Sequence, residues 1–384
     1  MIVGVLKETA VGERRVAMVP RVIELLQKAG VELWIESGAG AEAGFPDAEY
    51  LARGAHIAAS ADELREKSAI LLQVRAPAPE GLTSQHTIIA FCDPLNEPQI
   101  SAEIAERGAT LFSMEFIPRI TRAQSMDALS SMATVAGYKA VLMAANALPR
   151  LFPMLMTAAG TIPPARVFVM GAGVAGLQAI STARRLGAVV CAYDVRPAVK
   201  EQIESLGAKF VSMDLDTGKA EGAGGYAQAA DEDFYRRQRE LTASVLKDQD
   251  VVITTAAIPG RKAPILITRQ MLAGMAPGSV IVDLAAERGG NCEATQPGET
   301  VVVDGVTVIG PMNLPSTAPY HASQMYARNV AALLKHLVKD GQLNIDLNDE
   351  ITRETLVARD GAVVHPKLAS LFPATVAQPH GSAD

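Results

Sequence analysis

Short runs of aliphatic and β-branched residues alternate with longer stretches of helical period along most of the chain. In the first third, runs at 2–6, 31–36, 69–74, 87–91 and 109–113 have strand character, and residues 20–29 have the spacing of an amphipathic helix. The middle third repeats this rhythm at 166–170, 189–193, 209–212, 250–254, 279–283 and 306–309, each run bounded by Gly, Pro or Asp. Strands that alternate with helical segments predict βαβ units and parallel sheets. A helical period from 317 to 340 follows the last strand, and a long helix there would carry the chain back to the first domain. The expected architecture is α/β: two doubly wound domains with a cleft between them, the first completed by this C-terminal helix. The expected limits are 1–128 plus 317–368 for the first domain and 129–316 for the second. Residues 369–384 lack a period and read as a flexible tail.

Composition narrows the classes. A chain of 384 residues exceeds one ordinary domain, and 49% hydrophobic with 20% charged residues gives a substantial core that must be mainly aliphatic, since aromatics are 4%. A net charge of −7 argues against a nucleic-acid partner, because phosphate contacts need clustered Lys and Arg. Cys92, Cys191 and Cys292 are far apart and read as small buried hydrophobes in a reducing compartment. The six histidines (His56, His86, His321, His336, His365, His380) show no metal-ligand spacing and read as surface or turn residues; Trp34 reads as core. The first eight residues read as a strand rather than a leader. The most apolar window, 132–160, is interrupted by Lys139, Pro149, Arg150 and Pro153, so no direct membrane insertion is expected.

The run 166–170 leads into Gly171-Ala172-Gly173-Val174-Ala175-Gly176 and a helical segment at 177–186. In strand–turn–helix context this is a dinucleotide fingerprint of the Rossmann kind. Gly171 permits the tight turn, Gly173 admits backbone to a pyrophosphate, and Gly176 lets helix and strand pack closely. The next strand ends at Asp194, where an acid meets ribose hydroxyls and repels a 2′-phosphate, favouring NAD(H) over NADP(H). Arg196, two residues on, would favour the opposite choice. Residues 214–233, rich in glycine, suggest a long mobile loop.

Chemistry is carried by residues 118–131. Gln124 and Asp127 share a face at helical spacing with Ser130 one turn on, and Pro118 fixes Arg119 nearby. An amide beside a nicotinamide would hold its carboxamide, and an Arg119–Asp127 pair would hold the local geometry. The same spacing also suits a capped helix start with a solvated arginine pair. No residue of the set is a good proton donor at neutral pH, whereas oxidation of an alcohol or amine needs a general base.

Several segments together carry a resemblance: 119–127 with Ser130, 156–165, 171–178, Asp194-Val195-Arg196, 223–226 and 283–291. With these the chain resembles the NAD(H)-binding soluble component of proton-translocating nicotinamide nucleotide transhydrogenase over nearly its whole length. The resemblance implies that Arg119, Gln124, Asp127 and Ser130 surround the nicotinamide. It places Val174, Asp194, Val195 and Arg196 at the pyrophosphate and ribose, Gly225, Gln238 and Ala257 on the nucleotide, and Tyr226 on a closing loop. It implies direct hydride transfer from NADH to NADP+ on another subunit, coupled to proton translocation. It implies a homodimer that joins a membrane-spanning subunit and an NADP(H)-binding subunit, on the cytoplasmic face of the membrane.

A relative with the same architecture, alanine dehydrogenase, is the alternative. Lys7-Glu8 and Arg15-Val16-Ala17 suit either family, and Arg15 reads as a packing or salt-bridge group. Where alanine dehydrogenases carry a substrate histidine this chain has Asp93-Pro94-Leu95. Their substrate lysine is Arg75 here, and their strand-end aspartate is Glu287. The loop 92–95 also departs from the transhydrogenase pattern. A non-catalytic NAD-binding module is the remaining class, in which the Gln124 segment would be idle.

Overall fold

The computed structural model describes residues 1–212, 232–258 and 260–372, the side chains of 232–235, 237, 238, 369 and 370 excepted. Gly225, Tyr226, the side chain of Gln238 and the expected tail from 373 onward lie outside the described residues. The chain divides into two compact units, Met1–Met132 with Ser316–Asp384, and Ala133–Pro315.

The first unit holds an eight-stranded sheet in the order Ala362–Val363, Leu356–Arg359, Thr110–Ser113, Thr87–Phe91, Ile70–Arg75, Ile2–Val5, Glu32–Glu36, His56–Ala58. Its pairs are parallel from Thr110–Ser113 through to His56–Ala58, and the other two strands add antiparallel at one edge. Ile70–Arg75 and Thr87–Phe91 are almost wholly buried, which explains their unbroken apolar runs. The long helix Pro319–Leu337 forms where the 317–340 period placed it. Proline opens it at N1, Ala322, Tyr326, Val330, Leu334 and Leu337 fill one buried stripe, and Lys335 and His336 close its last turn. The helix is followed by the two antiparallel edge strands, which no period in the sequence announces.

The second unit holds a seven-stranded sheet in the order Lys209–Phe210, Val189–Tyr193, Arg166–Met170, Val251–Thr254, Val280–Asp283, Val306–Ile309, Thr300–Val303. Six strands run parallel, and Thr300–Val303 returns antiparallel at the edge. The order reverses between Arg166–Met170 and Val251–Thr254, so their carboxyl ends form the switch point at which doubly wound sheets take ligands.

Helix Ala128–Ala147 corrects one expectation. It is long and apolar enough to cross a membrane by length and composition, with 39% of its most apolar window buried. The window read from the sequence, 132–160, ran past the helix end and so counted Pro149, Arg150 and Pro153 against it. Ala140, Val141 and Ala144 of this helix are fully buried in the core of the second unit with Val167, Val169 and Ile180.

Three side-chain expectations also change. His86 and His365 are buried, not surface residues. The His86 ring accepts from Thr83 N and meets Arg65 O, while the His365 ring accepts from Lys367 N and stacks on Phe116. Trp34 is only partly buried: it stacks on His56, donates to Glu32 and lies under the Lys67 ammonium.

Candidate functional site

In the second unit, strand Arg166–Met170 ends at Gly171, whose φ of 97° is open to glycine and strained for other residues. A Cβ at Gly176 would sit 1.8 Å from the Gly171 carbonyl oxygen, so only glycine lets the helix Val174–Arg185 start this close to the strand. A Cβ at Gly137, on the apolar helix, would meet the Ala175 carbonyl oxygen at 2.1 Å, which packs that helix onto the same turn.

Gly173 differs from these. It is the N-cap of the Val174–Arg185 helix, no side chain caps it, and a Cβ there would meet nothing within 4 Å. The first N–H groups of a twelve-residue helix thus end at open space, with the positive end of the helix dipole behind them. Gly173 and Val174 are exposed. An open helix start of this kind fits a dinucleotide pyrophosphate.

Asp194 is buried at the end of the Val189–Tyr193 strand. Its Oδ2 accepts from Ala172 N at 2.7 Å and from Arg196 Nη2 at 2.9 Å; its Oδ1 accepts from Arg196 N and Nε, both at 2.9 Å. Four donors match the roughly four lone-pair directions of a carboxylate. The opposed roles read for Asp194 and Arg196 are therefore joined in a bidentate pair. A ribose hydroxyl can donate to Asp194 only by sharing with the guanidinium or displacing it.

Two residues absent from the sequence-read site build the opposite wall of this turn. Thr255 Oγ1 donates to the Gly171 carbonyl at 3.1 Å. Asn291, fully buried, accepts from Ala256 N at 3.0 Å and donates to the carbonyls of Ala256 and Pro264 at 2.8 and 2.9 Å. That pins the loop carrying Ala257, which is exposed beside it. Behind them Asp283 is fully buried and accepts from Thr254 Oγ1, Ala285 N, Asn291 N, Cys292 N and Thr295 Oγ1. Five donors satisfy a charge that burial would otherwise make costly. The signal for this hub was the acid closing an apolar strand at 280–283.

In the first unit, Thr121–Met126 is a 3-10 turn, and Asp127 ends it with ψ of 86° before the helix Ala128–Ala147 begins. Asp127 accepts from Ser130 N at 2.8 Å and Ser130 Oγ at 2.6 Å, the geometry of an N-cap. The capped helix start weighed from the sequence is therefore present, with Asp127 and Ser130 its two members. Arg119 and Gln124 are exposed in the same segment. Arg122 pairs with Asp349 at 2.6 Å, and Asn329 Nδ2 donates to the Ser125 carbonyl at 2.9 Å.

The loop at 92–95 also acquires a structure. Glu115 accepts from Cys92 N, Asp93 N and Ser113 Oγ, and Asp93 adopts φ of 45°. Burial pushes the Glu115 carboxyl up against these donors. Arg15 holds Glu13 in a buried bidentate pair at 2.7 and 2.6 Å, as its structural reading required.

The fold and the glycine turn define a class: a two-unit dinucleotide-binding α/β protein. The family model described as alanine dehydrogenase/PNT, N-terminal domain, matches residues 4–136, and the corresponding C-terminal domain matches 140–366. Alanine dehydrogenase of Halomonas elongata is 28% identical over 97% of both chains. An NAD(P) transhydrogenase alpha-subunit chain of Rhodospirillum rubrum is 47% identical over 96% of this chain and 99% of its own. The crystal structure of transhydrogenase from Sinorhizobium meliloti superimposes with a TM-score of 0.84 at 44% identity, covering 96% of this chain and all of that one. The chain belongs to the NAD(P) transhydrogenase alpha-subunit family.

Proposed function

We propose that the protein is the NAD(H)-binding component of a proton-translocating transhydrogenase, and that it works only with partner subunits. The observation carrying this reading is the uncapped helix start at Gly173 in a chain 47% identical to a transhydrogenase subunit. Bound NADH supplies a hydride, two electrons with one proton, to NADP+ held on a partner subunit. The N–H groups at 174–176 bind the pyrophosphate, and Asp194 with Val195 and Arg196 frames the adenosine ribose. Ala257 is a further nucleotide contact, and the resemblance assigns Gly225, Gln238 and Tyr226 to the nucleotide as well. Gln124 orients the nicotinamide carboxamide, with Arg119, Asp127 and Ser130 around it. A transfer of this kind leaves no proton to be handled between substrates, which agrees with a segment lacking a neutral-pH acid or base.

The relatives' names support a subunit of a larger assembly, and we assign it an NADP(H)-binding and a membrane-spanning partner on the cytoplasmic face of the membrane. A homodimer is supported by the resemblance and by the hairpin Leu155–Thr157 with Gly160–Ile162, whose Met156 and Ile162 are exposed. The alanine dehydrogenase alternative is disfavoured by Arg75, Asp93 and Glu287 at the positions named above.

Gln124→Asn tests the nicotinamide role. It shortens the side chain while keeping the amide, so transfer should slow at least tenfold with NADH affinity changed less than about threefold. Equal losses in rate and affinity would reduce Gln124 to uniform binding.

A further inference from the structure

The turn that carries Gln124 is tied by side chains to a distant part of its own unit. Thr121–Met126 is 3-10, a geometry with weaker hydrogen bonds than an α-helix, and no side chain caps it at Ile120. The internal bond Asp127 N to Gln124 O is long, at 3.3 Å. Two further polar ties come from the C-terminal segment of the same unit. Asn329, on the buried face of helix Pro319–Leu337 and 6% exposed, donates from Nδ2 to the Ser125 carbonyl at 2.9 Å. Arg122 Nη1 reaches Asp349 Oδ2 at 2.6 Å, while Asp349 Oδ1 caps the helix Glu350–Thr355 and meets His336 Nε2 at 2.9 Å.

Asn329 is the more informative of the two ties. Its Oδ1 is buried with no hydrogen-bond partner. A buried amide that satisfies only its donor half is an unfavourable way to stabilise a fold, because the unpaired acceptor forfeits its water. A leucine would fill the same space without an unpaired acceptor, so what the amide adds here is its bond to the Ser125–Met126 peptide, one residue from Gln124.

We propose that Asn329 is a positioning residue for hydride transfer: its amide, anchored in the long C-terminal helix, holds the Ser125 carbonyl and so sets the direction of the adjacent Gln124 side chain. This rests on the reading of Gln124 as the nicotinamide-orienting group. Reacting atoms tolerate little misplacement, and a shift of about 1 Å costs up to about a hundredfold in rate.

The test uses the full chain with its NADP(H)-binding partner, measuring transfer rate, NADH affinity by fluorescence titration and thermal midpoint. Asn329→Leu removes both the donor and the unpaired acceptor. Transfer should fall about tenfold or more, with NADH affinity within about twofold and an undiminished midpoint. Asn329→Asp supplies a donor only when protonated, so its transfer, relative to the parent protein, should recover as pH falls. That pH signature also serves if Asn329→Leu fails to fold. Gln124→Asn is run alongside. If it slows transfer while Asn329→Leu transfers at the parent rate, or Asn329→Asp shows no recovery in acid, the positioning role is overturned. A rate loss in Asn329→Leu matched by lost NADH affinity overturns it too. If neither Gln124→Asn nor Asn329→Leu slows transfer, the nicotinamide assignment of Gln124 falls instead.

Discussion

Gly173 and Gly176 lie three residues apart in one motif but meet different surroundings, and substituting each separates fold from binding. A methyl at Gly176 would occupy the space of the Gly171 carbonyl, whereas one at Gly173 points into open space. Gly176→Ala should therefore unfold or strongly destabilise the second unit. Gly173→Ala should leave the thermal midpoint nearly unchanged yet weaken NADH binding about tenfold or more, since its methyl enters the volume assigned to the pyrophosphate. Calorimetry with NADH titration distinguishes them, and a Gly173→Ala protein with parent affinity would remove the pyrophosphate from this helix start. Glu8, in the first unit, gives a pH prediction. Val74 N and Arg75 N donate to its two oxygens at 2.5 and 3.3 Å, yet desolvation prevails and pushes the carboxyl from 4.5 up to about 8. The native state then holds a proton that the unfolded chain releases above about pH 4.5. The contribution is full below 4.5 and is lost as pH rises through about 8. Glu8→Gln should flatten that decline in urea midpoints measured from about pH 5 to 9, and an unaltered slope would refute the shift. At this scale the glycines were legible because their steric demands are local. Thr255 and Asn291 were not, because their partners lie tens of residues away in sequence, and the five-donor role of Asp283 was not, because it depends on the chain at 285–295 folding back onto the strand end beside Thr254.

The buried parallel strands are the elements most legible from pattern. Thr87–Phe91, Arg166–Met170, Val189–Tyr193 and Val306–Ile309 have the limits read from the chain, because burial on both faces demands an unbroken apolar run. The edges were missed. Thr300–Val303 is half exposed and Ala362–Val363 is two residues long, so their pairing follows from the topology that delivers them, not from a period. Helix Ala128–Ala147 shows the converse: its apolar run was plain, but its start was not, since that depends on Asp127 folding back onto Ser130. This cap yields a prediction at the level of the element. Asp127→Ala should cost about 1 kcal/mol of unfolding free energy, and Asp127→Asn, which can still accept from Ser130 N, should recover most of it. Denaturant titration of both checks this; equal losses would assign the cost to lost charge, not to the cap.

At the scale of the molecule the chain forms two sheet-based units. The second holds the glycine turn with its open helix start, and the first holds the Gln124 segment, tied to a helix that returns to that unit from late in the chain. That return was readable as a long period after the last strand of the middle domain, but the strands that complete the first sheet beyond it were not. Family membership follows from similarity over 96% of the chain. The reaction itself is the central proposal, and its most direct measurement follows an isotope. The protein, mixed with the NADP(H)-binding partner subunit, is given NADH deuterated at the transferable C4 position together with NADP+. Direct transfer from one nucleotide to the other, with no acid or base between them, requires the deuterium to appear in NADPH without dilution by solvent hydrogen. Solvent hydrogen at that position, or NADH consumption that needs pyruvate and ammonia in place of NADP+, would contradict the account.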